Sequence, residues 1–242
     1  MNRGVYGAAA GMMAAQSKLD TITHNLANVN TTGFKSERVE FSEALERLLR
    51  GEGGMGDVLG TLGTGPVESQ RYLVRSAGSA INTSNPLDVA ILGEDGAFGV
   101  MANGQMHYTR NGSFTINSKR ELVTQMGHPV LDKNGTPITM KGEGTIKVDD
   151  NGQISQGGQV IASLGIWNAD TWQRVGDGLL TAPNAQPFET RVASGMLEAS
   201  NVNAVEAMVD MIKASRVFEM AQKVISTEDE ASQKLIQALQ QG

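Results

Sequence analysis

The side chains in this chain that could hold a metal or move a proton are few, and their spacing suits neither task. Its three histidines, His24, His107 and His128, lack the i, i+4 spacing that would place two imidazoles on one helix face around a zinc ion. The absence of cysteine excludes disulfides, thiolate metal sites and a thiol nucleophile. Two turns, Asp132-Lys133-Asn134-Gly135 and Asp149-Asp150-Asn151-Gly152, carry the oxygen ligands that calcium prefers. A calcium loop also needs alternating ligands before its glycine and a closing glutamate, so both read as hairpin turns. The run Gly51-Glu52-Gly53-Gly54-Met55-Gly56, continued by Gly60, Gly63 and Gly65, lacks the Lys-Ser/Thr of a phosphate loop and reads as a flexible linker. Carboxylate pairs for glycosidase chemistry form in three dimensions and cannot be read from spacing. Asp88 and Arg110 are a candidate ion pair. The expectation is no catalytic residue, no cofactor and no metal.

Composition narrows the classes further. The net charge is −6 and aromatics make up 5% of the 242 residues, so the chain has neither the basic face nor the stacking platform of a nucleic-acid binder. No apolar run approaches the roughly 20 residues that span a bilayer. The first residues lack the continuous apolar block of a cleaved leader.

The informative chemistry is apolar and lies at the ends. Val5, Ala8, Met12, Ala15, Leu19, Ile22, Leu26 and Val29 recur in alternating steps of three and four, the seam of a coiled coil. This predicts a helix over 1–30, weakened at Gly4, Gly7 and Gly11 by about 1 kcal/mol each relative to alanine. Such a helix orders only when packed. Asn28 to Gly33 should stop it, with Gly33 free to take positive φ. A second helix is expected over 37–50, with Ser36 as its cap and Phe41, Leu45 and Leu48 on one side. At the other end, no Gly or Pro occurs from Val205 to Leu239. Asn203 and Glu206 read as a capping-box variant. The stripe there runs Val205, Val209, Ile212, slips phase near Ser215, and resumes through Val217, Ala221, Val224, Ala231, Leu235 and Ala238, interrupted by Glu228. A helix on the order of 50 Å long is more than the rest of the chain can cover.

Between the ends the pattern has period two. Asn-Gly pairs at 103–104, 111–112, 134–135 and 151–152 supply the consecutive positive-φ residues of type I′ hairpins. Strands are expected at Phe98–Met101, His107–Thr109, Ile138–Met140, Ile146–Val148 and Val160–Trp167. The predicted fold is therefore α+β. Terminal helices pair as a coiled-coil-like layer, and an all-β antiparallel domain, barrel- or sandwich-like, is inserted between them. The expected division is 1–50 with 200–242 as a terminal helical assembly domain, 51–66 as linker and 67–199 as the central domain.

Local words then point to a family. Asn25-Leu26-Ala27-Asn28-Val29-Asn30-Thr31-Thr32-Gly33-Phe34 resembles the N-terminal signature of the bacterial flagellar axial proteins, the rod and hook family. Asn85-Pro86-Leu87-Asp88-Val89-Ala90-Ile91, Tyr108-Thr109-Arg110-Asn111-Gly112-Ser113-Phe114 and Gly195-Met196-Leu197-Glu198-Ala199-Ser200-Asn201-Val202-Asn203 resemble later stations of the same family, in its order. The short length favours a rod subunit over the hook protein, and Glu206 to Ile212 is more similar to the proximal than the distal rod. Family members often carry two bulky residues where this chain has Ala97, Phe98 and Gly99 after Gly96.

The resemblance implies a structural subunit of the flagellar basal-body rod that transmits torque in a hollow helical shaft. It implies export through the flagellar secretion channel without a cleaved leader, and a periplasmic location. Its partners would be copies of itself, neighbouring rod subunits and, in transit, the export apparatus; nucleic acid and membrane spanning are not expected. The assembly interface expected from stripe and words together comprises Val5, Met12, Leu19, Ile22, Asn25, Leu26, Asn28, Val29, Gly33, Phe34, Val205, Val209, Ile212, Val217, Val224 and Leu235. Phe34 is read as a plug into an adjoining subunit; Asn25 and Asn28 could cap their own turn or bond a neighbour. Alternatives are a distal rod or hook-type subunit, a periplasmic wall hydrolase, and a cytoplasmic coiled-coil adaptor.

Overall fold

The computed structural model describes residues 3–43, 46–50, 58–63, 66–142 and 144–240. Helix α1 spans Arg3–Ala27 and helix α2 spans Ala204–Gln240. Between them run β1 (Glu37–Glu43), β2 (Glu46–Arg50), β3 (Val58–Gly63), β4 (Pro66–Leu73), β5 (Ala80–Asn82), β6 (Val89–Ile91), β7 (Ala97–Ala102), β8 (Gln105–Thr109), β9 (Phe114–Ile116) and β10 (Leu122–Thr124). They are followed by β11 (Ile146–Val148), β12 (Gln153–Gln156), β13 (Gln159–Ser163), β14 (Ile166–Asn168), β15 (Gln173–Gly176), β16 (Leu179–Thr181), β17 (Gln186–Pro187), β18 (Val192–Ser194) and β19 (Met196–Glu198). The chain divides into two units.

The first unit contains α1 to Leu26, the stretch Glu37–Arg71, and the chain from Ala204 on. The helix expected over 37–50 is not formed. β1 pairs with β4, and β2 pairs antiparallel with β3. Period two wins here. Glu37, Val39 and Phe41 are half-buried and alternate with exposed Arg38, Glu40 and Ser42, as a strand with one covered face requires. Part of the glycine-rich stretch read as linker is also strand, since Val58–Gly63 supplies β3; residues 51–57 and 64–65 lie outside the described residues. α1 ends at Ala27, so Val29 falls in the following turn rather than on the helical seam. α2 starts directly after Asn203, as the capping pattern predicts, and its 37 residues reach about 55 Å.

The second unit comprises Ala27–Ser36 and Tyr72–Asn203. Its largest sheet has the order β15-β16-β8-β7-β14-β17, and among the described residues the sheets do not close into a barrel. One face of β7 carries Phe98 and Val100 into a core with Phe114, Leu122, Val130, Ile138, Ile154, Leu164 and Val192. The Phe98 and Phe114 rings meet edge to face at 5.1 Å, a favoured aromatic geometry. The other face carries Ala97 against Tyr108, Trp167 and Leu180. Small residues around Phe98 make room for Trp167: a Cβ on Gly99 would sit 2.2 Å from its ring, as would one on Gly165.

Of the four Asn-Gly pairs, only Asn103-Gly104 has both residues at positive φ (52° and 75°); it joins β7 to β8. Gly112 instead allows close approach, because a Cβ there would lie 1.7 Å from the Val89 carbonyl oxygen. The remaining two pairs follow another rule. Asp132 Oδ1 accepts the amides of Asn134 and Thr136, and Asp149 Oδ1 those of Asn151 and Gln153. Gly135 and Gly152 alone take positive φ. These are three-residue loops, a type I turn followed by a left-handed residue. Ile138–Met140 forms one isolated bridge, Thr139 to Glu121, rather than a named strand, and Val160–Trp167 splits into β13 and β14 at Leu164-Gly165.

Candidate functional site

α2 exposes large apolar side chains along much of its described length. Val205 is 67% exposed, Met208 46%, Val209 45%, Ile212 55%, Val217 47%, Met220 60% and Val224 45%. With Ile236 at 54%, these side chains leave α2 carrying exposed apolar surface of the kind that soluble monomers rarely leave open. Ala214 is the buried residue of α2 among its described side chains. Leu235 lies among the residues whose side chains are outside the description.

On α1, Ala15 and Ile22 are buried and Val5, Met12, Leu19 and Leu26 half-buried, while Met13 stands exposed on the far side. Gly7 and Gly11 have open space where a Cβ would go, among the described residues. Gly4 does not: a Cβ there would lie 3.1 Å from Glu228 Oε1. The acid that interrupts the α2 stripe therefore stands at the first turn of α1, at the positive end of the helix dipole.

The residues after α1 have internal duties. Asn25 is buried; its Oδ1 accepts from the Glu37 amide at 2.9 Å and its Nδ2 donates to the Glu37 carbonyl at 2.8 Å. Asn28 caps the turn by accepting from the Thr31 hydroxyl at 3.1 Å and the Thr31 amide at 3.1 Å; Val29 is half-buried beside it. Gly33 has φ +68°, and a Cβ there would sit 2.4 Å from the Arg110 carbonyl carbon. Phe34 is 5% exposed, with the Arg174 guanidinium 4.3 Å above its ring.

Sequence reasoning missed the charged cluster underneath. Arg110 pairs not with Asp88 but with Glu198, Nε donating to Oε2 at 2.8 Å. Lys35 Nζ donates to Oε1 of the same carboxylate at 2.6 Å. All three side chains are under 8% exposed. Arg110 also donates to the carbonyls of Asp95, Gly96 and Gly93, and Lys35 to those of Arg75 and Ser76. Asp88 instead accepts from the Asn85 side chain. Burial pushes the Glu198 carboxyl up, but the Arg110 charge and the Lys35 hydrogen bond outweigh it and hold it below the ordinary carboxylate value. Burial and the Arg110 charge push the Lys35 ammonium down against the pull of Glu198. The words containing Arg110 and Glu198, and the one that ends just before Lys35, were each visible in the sequence, but separations of 163 and 88 residues gave no signal that they meet. No group of acidic or histidine side chains suited to a metal occurs among the described residues, and no described helix is long and apolar enough to cross a membrane.

Comparison with known proteins gives these features a context. Residues 6–35 match the family model described as flagella basal body rod protein. Residues 90–162 match that of the flagellar hook protein FlgE/F/G D1 domain, and residues 193–238 that of the flagellar basal body rod FlgEFG protein C-terminal region. The flagellar basal-body rod protein FlgF of Rhizobium meliloti is 35% identical over 249 aligned positions, spanning 99% of this chain and 98% of its own. FlgG of Bacillus subtilis is 33% identical, spanning 98% of each chain, and FlgG of Borreliella burgdorferi 36% identical, spanning 95% and 96%.

Proposed function

The chain belongs to the flagellar basal-body rod protein family and is FlgF-like within it; it is a structural subunit of the basal-body rod and not an enzyme, and we propose that it polymerises through its terminal helices into a hollow helical shaft that transmits torque. In this reading α1 and α2 pair in a coiled-coil-like layer. The open side of α2, with Val205, Val209, Ile212, Val217 and Val224, meets the same layer in neighbouring subunits, and Leu235 together with Val5, Met12, Leu19, Ile22 and Leu26 of α1 completes the assembly interface. Asn25, Asn28, Val29, Gly33 and Phe34 set the turn that follows it. Partners are other copies and neighbouring rod proteins. Head-to-tail contacts that do not close on themselves yield a helical filament.

The observation that carries this reading is the α2 stripe, uncovered in the single chain and too long for internal cover. Gly7 and Gly11 support it by leaving a smooth groove for another backbone. The chain reaches its periplasmic position through the flagellar secretion channel. It does so unfolded, and its terminal helices order fully as they join the rod.

The test is a double substitution, Val209→Asp with Ile212→Asp. The central unit should melt as in the wild type, because none of its core residues is touched. Cells carrying the variant should lack complete rods in electron micrographs and should not swim. Normal rods in those cells would overturn the reading. A distal rod position is the second reading, favoured by FlgG relatives at 33% and 36% identity. Localisation of a tagged chain along isolated basal bodies separates the two.

A further inference from the structure

Of the four points where the chain crosses into or out of the second unit, three lie after Ser36, before Tyr72 and after Asn203. The segments beside these three exits are laced to one another inside that unit. Gly33 N donates to the Glu198 carbonyl at 2.8 Å, Val74 N to that of Ser36 at 2.8 Å, Ala199 N to that of Ser79 at 2.8 Å, and Asn201 N to that of Phe34 at 3.2 Å. Side chains add a second set of links. Asn201 Oδ1 accepts from Ser36 N at 2.6 Å, and its Nδ2 donates to the carbonyls of Val74 and Ser76 at 3.0 Å. Glu198 Oε1 accepts from Lys35 Nζ and, at 3.0 Å, from Gly78 N. Arg174 donates to the Lys35 carbonyl at 2.7 Å. Arg110 then ties Glu198 to the backbone of Gly93, Asp95 and Gly96.

We propose that this knot is the force-transmitting joint of the subunit, through which force arriving along the chain at its exits enters the β-domain, with Glu198 and Asn201 as its positioning residues. The proposal rests on the reading of the chain as a shaft subunit. The physical argument is one of connectivity. A single chain crossing bends at every φ and ψ and transmits little torque. Three crossings tied side by side share a load, because several bonds must fail together before any exit slides. Directional bonds, the buried and charge-assisted ones at Glu198 among them, hold the exits at fixed spacing, where apolar contacts alone would let them slip. A carboxylate shared by two cations from distant parts of the sequence links residues 35, 110 and 198 at one point.

The absence of cysteine makes a direct measurement available. Glu37→Cys with Ala204→Cys provides attachment points for single-molecule pulling across the joint on the full chain. Asn201→Ala and Glu198→Gln should each lower the rupture force to less than half that of the parent. Asn117→Ala, which removes side-chain bonds from a turn outside the joint, should lower the melting temperature but leave the rupture force within error. The extension released at rupture reports whether each molecule was folded, so a misfolded Glu198→Gln leaves Asn201→Ala to decide. Equal force loss in Asn117→Ala and Asn201→Ala, or no loss in Asn201→Ala, overturns the proposal. In cells, Asn201→Ala should build rods in normal number, swim normally in dilute medium and slow at least twofold relative to wild type in viscous medium. Load-independent swimming overturns the joint alone; intact rods in cells lacking the chain altogether overturn the shaft reading beneath it.

Discussion

Glu198 is the residue on which most depends. Its folded carboxyl releases its proton more readily than the unfolded one, so its contribution is complete above the ordinary value of 4.5 and is lost as pH falls through the lower folded value. Denaturant melts of the second unit, followed by Trp fluorescence, should lose stability in that acid window. Glu198→Gln should flatten the loss and, by leaving two buried cations without a counter-charge, cost about 3–5 kcal/mol at neutral pH. Lys35, its folded value also lowered, adds a gain in stability as pH rises toward 10.5, of the same sign. Gly33 is the second sensitive position. Its φ of +68° and the 2.4 Å approach to Arg110 mean that Gly33→Ala should destabilise the unit by about 1–3 kcal/mol from backbone strain, with the clash adding to this. An equilibrium melt matching wild type would contradict the tight packing of that turn. Both residues stood inside words the sequence made conspicuous. Their importance was legible and their reason was not, since an ion pair across 163 positions leaves no periodicity.

Among elements, short turns repeat one device. Asn117, Thr124, Asp132 and Asp149 each accept, through the backbone carbonyl, the amide three residues on; Arg120, Gly127, Gly135 and Gly152 then take the left-handed position. Each opening side chain also accepts the amide of the residue that re-enters the chain, Glu121, His128, Thr136 or Gln153. Asp132→Ala removes two such bonds and should cost about 1–2 kcal/mol in a thermal or urea melt, with no change in calcium response. The hairpins were foreseeable from Asn-Gly, but their type was set by the Asp two residues earlier. The region 37–50 was misread because Phe41, Leu45 and Leu48 fit a helical face as well as Val39 and Phe41 fit a strand face. A short segment carries too little periodicity to separate these; pairing with Pro66–Leu73 and Val58–Gly63 decides it. The long helix was plain, having no glycine or proline to interrupt its stripe. With so few of its side chains covered, α2 should exchange its amide hydrogens orders of magnitude faster than β7 in dilute monomer. Hydrogen exchange read by mass spectrometry checks this, and equal protection would mean that α2 is held in solution by contacts its exposure does not reveal.

At the scale of the molecule, the chain crosses between its two units four times, and residues 27–36 belong with the β-domain although they follow the first helix. A protease cut within Glu37–Arg71 should therefore leave the N-terminal fragment bound to the remainder through Gly33, Phe34 and Lys35. The two pieces should co-elute in size exclusion at neutral pH and separate in denaturant; separation in native buffer would contradict the bonding of that segment. The sequence by itself determined the helical ends, their apolar stripes, the antiparallel character of the middle and the family, because each is written in local spacing or in words a few residues long. Tertiary structure alone decided that Glu37–Glu43, Glu46–Arg50, Val58–Gly63 and Pro66–Leu73 are strands, that Trp167 fills the space above Gly99, and that Lys35, Arg110 and Glu198 share one buried site. Those outcomes turn on which distant segments compete for the same partner, and that competition is settled by closing the chain, not by any property of a short stretch of it.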